Sequence, residues 1–205
     1  MNELLNAYRD DGPLSALVTR AVRVPLQALS LTAAGVAAVA IGLAADRTAT
    51  GAASLLGIAA FVVLGTLGAA ARRHPRIQWL VPPLLRAGEY TIVMVLAWRT
   101  GRTETWLAYV LLAMIAFHHY DIVYRLRHQR TVPSRVVSYL CGGWEVRTLV
   151  ITVATVVGAL APVLAVAAAW CGALFVSESM RSWVVLAMDE TRRAHVGAEI
   201  EEEEV

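Results

Sequence analysis

Residues 51–98 read GAASLLGIAAFVVLGTLGAAARRHPRIQWLVPPLLRAGEYTIVMVLAW, two apolar runs (51–71 and 79–98) divided by Arg72, Arg73 and Arg76. Each run is close to the about 20 residues an α-helix needs to cross a bilayer. In hydrocarbon every backbone polar group must find its partner inside the protein, so runs of this length predict spanning helices and not extended chain. Four further runs lie outward of this pair, at 25–45, 105–124, 146–161 and 162–188. Gly158 to Pro162 is the only punctuation between the last two, and a proline inside one long helix would remove a donor and clash with the preceding turn. The whole chain is 58% hydrophobic with a mean hydropathy of +0.57, more apolar surface than a soluble domain hides in one core. The reading is an all-α integral membrane protein of six transmembrane helices.

The 18 basic residues are all arginine, which points to coding bias, and their distribution sets an orientation. Arg9, Arg20 and Arg23 precede the first run. Arg72, Arg73 and Arg76 follow the second; Arg125, Arg127, Arg130 and Arg135 follow the fourth; Arg192 and Arg193 follow the sixth. Only Arg47, Arg99 and Arg102 fall on the other side. The positive-inside rule then predicts both termini in the cytoplasm and a bacterial inner (plasma) membrane location. The first run is not read as a cleaved signal peptide, since a mixed-charge segment of two dozen residues precedes it.

Residues 1–24 carry apolar side chains at helical spacing, broken by Asp11, Gly12 and Pro13, and predict an amphipathic juxtamembrane helix on the cytoplasmic leaflet. The transmembrane domain is placed at 25–190. Residues 191–205 are expected to form a disordered acidic tail, with five carboxylates between Glu199 and Glu204 repelling one another. Cys141 and Cys171 form no metal-ligand pattern and read as small apolar packing residues. No phosphate-binding loop, dinucleotide fingerprint, nucleophile elbow or HExxH zinc motif is present. The arginines are explained by topology, so no nucleic-acid surface is expected.

Ionisable groups at membrane depth cost on the order of 3 kcal/mol each at the centre of a span and therefore mark function or mutual pairing. Here they are Arg86, Glu89 and Tyr90 on the third span, His118, His119, Tyr120 and Asp121 on the fourth, Glu145 and Arg147 entering the fifth, and Ser177, Glu178 and Arg181 on the sixth. Their depths place them in the inner halves of their helices, converging on one cytoplasmic cavity. Arg86 with Glu89, His118 with Asp121 and Glu178 with Arg181 share helix faces at i, i+3. They read either as internal ion pairs or as a site. Glu89, His118, His119 and Asp121 have the composition of an acid–base or divalent-metal set. Arg147 and the Gly142–Gly143 turn read either as an anion-holding turn or as a helix start, with Trp144 as an interfacial anchor.

The stretch from Leu64 to Glu89 resembles the signature of the CDP-alcohol phosphotransferase family. That signature is Asp, two residues, Asp-Gly, two residues, Ala-Arg, eight residues, Gly, three residues, Asp, three residues, Asp. Gly68, Ala71 and Arg72 agree, Glu89 replaces the last Asp, and Leu64, Leu67, Val81 and Leu85 depart from it. The resemblance implies a six-helix bundle with an N-terminal amphipathic helix, a homodimer and a cytoplasmic cavity. It assigns Gly68, Ala71 and Arg72 to a nucleotide-linked lipid and Glu89 to the base. It also implies a divalent metal, yet leucine offers no oxygen to a hard cation, so the family's own ligands are absent. The runs FHHYD (117–121) and GGWEVR (142–147) further resemble DUF5941, an actinobacterial membrane domain found beside nucleotidyltransferase and CDP-alcohol phosphotransferase modules. Two functions follow. One is a non-catalytic scaffold, dimerisation or regulatory domain partnering an active transferase in inositol- or alcohol-phosphate lipid metabolism. The other is a membrane enzyme acting on a phosphorylated or CDP-linked lipid through Glu89, His118, His119 and Asp121, with Glu145, Arg147, Glu178 and Arg181 at the ligand.

Overall fold

A computed structural model describes residues 8–72, 74, 76–129 and 135–203. Among the described residues the regular structure is helical apart from one short parallel strand pair. An amphipathic helix α1 (Pro13–Ala21) leads into strand β1 (Val24–Gln27), then α2 (Ala28–Ala45) and α3 (Ala52–Ala69). Strand β2 (Ala71–Arg72) and a 3₁₀ turn (Gln78–Leu80) precede α4 (Val81–Thr100). Helix α5 (Arg102–Tyr124) ends in a π-helical turn (Arg125–Gln129). It is followed by α6 (Arg135–Leu140), α7 (Gly143–Val156) and α8 (Leu160–Glu203).

Among the described residues six helical stretches are long and apolar enough to span a membrane: Ala28–Ala45, Ala52–Ala69, Gln78–Thr100, Arg102–Arg127, Val136–Val156 and Leu160–Val185. The six expected runs are therefore present, with shifted ends in the last two. The break between them falls at Gly158, whose φ of +73° is a left-handed turn position suited to glycine, and Pro162 sits in the first turn of α8. The fifth span starts earlier than residue 146 because α6 and the tight turn at Cys141–Gly142 continue it toward residue 136. Pro82 and Pro83 likewise lie in the first turn of α4, where a missing N–H breaks nothing. Helix α8 is helical through Glu203, past the end placed at residue 190, and its Ala-, Arg- and Glu-rich sequence has the propensity for it.

Consecutive spans alternate in direction, so α1, the strand pair and the π-helical turn gather at one end of the bundle. There β1 and β2 pair in parallel, Val24 with Ala71 and Gln27 with Arg72, tying the entry of α2 to the exit of α3. No periodicity in these short segments announces a strand. The two helices between pack closely because small residues face each other: a methyl group on Gly57 would lie 2.5 Å from Ala38 O and 3.3 Å from Gly42 Cα. The core is a continuous cluster that includes Phe61, Leu85, Ile92, Leu96, Leu111, Ile115, Trp144, Ile151 and Leu164. Exposed Trp98 and Trp106 mark one end of the bundle, and exposed Trp79 and Trp183 the other, as interfacial belts do. Cys141 and Cys171 are free and buried.

Trp144 is 1% exposed, which corrects its expected place as an interfacial anchor. Its ring meets Phe61 edge-on, with centroids 5.2 Å apart. Gly65 makes room for it, since a methyl there would lie 2.4 Å from the Trp144 ring. Gly65→Ala is expected to cost about 1–3 kcal/mol through overpacking, read as a lower thermal unfolding midpoint in detergent. Gly172→Ala, which meets only the flexible Met114 side chain at 3.1 Å, should cost less. Equal effects would refute the Trp144 packing described.

Candidate functional site

The centre of the polar system is Arg147, in the second turn of α7 and 5% exposed. Its Nε donates to Glu89 Oε1 at 2.7 Å and one terminal nitrogen reaches Glu89 Oε2 at 3.3 Å. That same nitrogen donates to Asp10 Oδ2 at 2.7 Å. Glu89 is fully buried on α4, and Asp10 is 2% exposed although it comes from outside the spans. Glu89 thus pairs across the bundle with Arg147, while its expected i, i+3 neighbour Arg86 donates to the Tyr8 carbonyl at 2.8 Å.

Residues 8–15 are inserted into the end of the bundle. Asp10 has φ +53°, a left-handed conformation that Asp tolerates better than most residues, and this turns its carboxylate inward. Asp11 accepts from Arg9 Nε at 2.7 Å and from Trp144 Nε1 at 3.1 Å. Arg9 in turn reaches the Gly65 carbonyl at 3.2 Å. Glu145 caps the start of α1, accepting from Gly12 N at 2.9 Å and Ser15 N at 3.0 Å. The approach is backbone to backbone: a methyl on Gly143, at φ +63°, would lie 2.3 Å from Gly12 N. Only a glycine turn at 142–143 lets the segment seat.

His118 and His119, near the end of α5, both face Asp10. His119 Nε2 lies 3.5 Å from Asp10 Oδ2 and His118 Nε2 lies 3.9 Å from Oδ1. The other nitrogen of His119 shares a hydrogen bond with the Tyr90 hydroxyl at 3.0 Å. The His118 ring stacks on Phe175 of α8, centroids 3.9 Å apart and planes within 7°. The structure therefore brings Glu89, His118, His119 and Arg147 together around an acid that the sequence analysis did not single out.

Asp121 belongs to a second network. It pairs with Arg125 one turn on, at the start of the π-helical turn, and accepts from the Ser179 hydroxyl at 3.2 Å. Arg125 also lies 3.4 Å from Glu178 Oε1, linking α5 to α8. Arg181 is exposed, as is Arg72 on β2. Gly68 packs beside Thr32, and Ala71 is buried at the strand pair. Leu64 and Leu67 are partly buried, while Val81 and Leu85 lie in the core, so these positions act in packing. Among the described residues no group of three His, Cys, Asp or Glu side chains is placed to hold a metal ion.

Asp10 and Arg125 are the residues that sequence reasoning missed. Asp10 sits in a short Asp-Asp-Gly-Pro break that reads as a surface turn. The signal pointing to it is indirect: Arg86 and Arg147 within the spans outnumber Glu89, the nearest acid of comparable depth.

Burial alone would push the Asp10 carboxyl up, but the Arg147 guanidinium beside it, with His119 and His118, holds it well below the usual carboxylate range. A depressed folded-state pKa contributes stability that is present above the unfolded value of about 3.9 and is lost as pH falls through the folded value. The seat of residues 8–15 is therefore expected to hold from neutrality down to about pH 5 and to weaken below about pH 4. Thermal unfolding of the wild type and Asp10→Asn across this range checks it. The variant should melt lower at neutral pH and show a shallower acid limb, and parallel curves would show that Asp10 carries no such linkage.

No curated protein and no solved structure matches the chain. A family profile does, over residues 1–199, and its description is "Family of unknown function (DUF5941)". The match takes in the inserted segment, both histidines, the glycine turn and Arg147. On that extent of agreement the chain belongs to the DUF5941 family.

Proposed function

We propose that this domain is a non-catalytic membrane module that scaffolds or regulates an active phospholipid-synthesis transferase, as a homodimer or as that enzyme's partner. The observation that carries the reading is the engagement of the candidate acids. Glu89 and Asp10 are held by Arg147, Asp121 by Arg125 and Ser179, and Glu145 by backbone amides of α1. Arginine–carboxylate pairs of this kind neutralise charge inside a bilayer and need no ligand to explain them. Positions 64, 67, 81 and 85, where the resemblance to CDP-alcohol phosphotransferases calls for aspartate or glycine, carry apolar side chains that pack. Phosphoryl transfer of that type depends on a metal to neutralise the diphosphate, and these side chains offer it no oxygen. The assignment to inositol- or alcohol-phosphate lipid metabolism, with both termini cytoplasmic, rests on that resemblance and on the arginine distribution.

A second reading is an enzyme acting on a phosphorylated or CDP-linked lipid through a rebuilt set. One observation favours it: His118 and His119 are buried side by side against Asp10, with Glu89 two bonds of the network away. Asp121 stands outside this set, so such an enzyme would rely on Glu89 and the histidines.

Purified protein, incubated with CDP-linked lipids and either Mg²⁺ or Mn²⁺, is expected to release no CMP above a protein-free control. Sustained release that is lost in Glu89→Gln and His118→Ala variants still folded at the assay temperature would overturn the scaffold reading in favour of the enzyme.

A further inference from the structure

Several nitrogens around Asp10 are left without a hydrogen-bond partner among the described residues. Arg147 uses Nε and one terminal nitrogen, leaving its other terminal nitrogen buried without a hydrogen-bond partner among the described residues. The same holds for Arg86 Nε, His118 Nε2 and His119 Nε2. Both imidazole nitrogens point at Asp10, His119 Nε2 at the long limit of a hydrogen bond (3.5 Å) and His118 Nε2 beyond it (3.9 Å). Asp10 Oδ1 is itself buried and unpartnered. His118 and His119 are 1% and 5% exposed and locked by Phe175 and Tyr90, so they cannot turn elsewhere.

Charge leads to the same place. Arg147 and Arg86 contribute two positive charges, and Glu89 and Asp10 two negative ones. Glu89 is fully buried and held by two nitrogens of Arg147, whereas Asp10 arrives on a segment entering from the bundle end. Withdrawing Asp10 leaves one net positive charge in a low-dielectric pocket, a costly state that any available anion relieves. Arg147 Nη1, His118 Nε2 and His119 Nε2 are the nitrogens left to serve such an anion. A phosphate group brings three acceptor oxygens on a tetrahedral frame, enough to meet two histidines and a guanidinium together.

Asp10 holds a left-handed conformation that strains a non-glycine residue, and the next stop is Gly12. The anchor at Gly12 and Ser15, supplied by Glu145, is separate from the Asp10 contacts. Release of residues 8–11 would exchange their contacts with Arg86, Trp144, Arg147 and the Gly65 carbonyl and leave the cap on α1 in place.

We propose that Arg147, Arg86, His118 and His119 form a binding site for a phosphate group, that Asp10 occupies it as an internal substitute, and that a phosphate-bearing ligand unseats residues 8–11. The site goes beyond the scaffold reading and is independent of it, since it binds an anion whether or not any bond is broken. Free phosphate and a lipid phosphomonoester headgroup share the chemistry.

The test uses the full chain and two probes: inorganic phosphate in detergent, and nanodiscs of phosphatidylcholine with or without phosphatidic acid. Asp10→Gly removes the carboxylate and suits the left-handed backbone. A plug seated about nine-tenths of the time lowers apparent affinity about tenfold, so the phosphate concentration that shifts the thermal midpoint should fall about tenfold or more in this variant. In the wild type, hydrogen exchange of residues 8–11 should rise with the probe while that of Ser15 stays protected. A response to inorganic phosphate assigns a free phosphate; a response to phosphatidic acid alone assigns a lipid headgroup. Chloride at matched ionic strength sets the baseline. Equal responses of wild type and Asp10→Gly, or a wild-type exchange pattern unmoved by both probes, overturn the proposal, and the exchange measurement decides it even if the variant fails to fold.

Discussion

A guanidinium cannot stay charged in the interior of a membrane bundle without counter-charge, and this governs the end of the molecule where α1 lies. Arg147 enters on α7 below the glycine turn, and a single carboxylate on α4 meets it. Two carboxylates share it because the second, Asp10, is drawn in from outside the spans. Removing one partner from such a buried set costs about 3–5 kcal/mol, since the charge left behind has no solvent. The position of residues 8–15 follows from that demand more than from any apolar contact of their own.

Other features are consequences of seating that segment. Gly142 and Gly143 take positive φ because the chain must turn where the Gly12 backbone arrives. Glu145, one residue beyond Trp144, satisfies the free amides at the start of α1, which would otherwise be buried without acceptors. Trp144 is pulled from the interface into the core, its indole nitrogen on Asp11 and its ring against Phe61. The run from Gly142 to Arg147 is thus a docking element for the N-terminal segment. The pair of histidines faces Asp10 from α5, one ring stacked on Phe175 and the other bonded to Tyr90.

The bundle was legible in the sequence. Six apolar runs, the arginine loops and the Gly158 break are local properties, and hydrocarbon leaves a long apolar run one conformation to adopt. Most of the candidate site residues were legible as well, because Glu89, His118, His119 and Arg147 are expensive in lipid wherever they point. Their pairings were not. Glu89 shares a helix face with Arg86, yet it bonds Arg147 from a helix 58 residues away in sequence. Asp121 shares a face with His118, yet it bonds Arg125, which turns inward where α5 becomes π-helical.

The sequence by itself determined that the chain is a helical membrane protein, how many helices are apolar enough to cross, and which residues are too polar to face lipid. These depend on transfer free energies of single side chains and on helix length, which are read one segment at a time. The tertiary structure alone decided that Asp10 completes the Arg147 cluster, that Glu145 caps α1, and that the histidines converge on an acid from the N-terminal segment. Those pairings depend on electrostatics between segments that only packing brings within a few ångströms, and no local pattern in Asp10-Asp11-Gly12-Pro13 distinguishes a buried counter-ion from a surface turn.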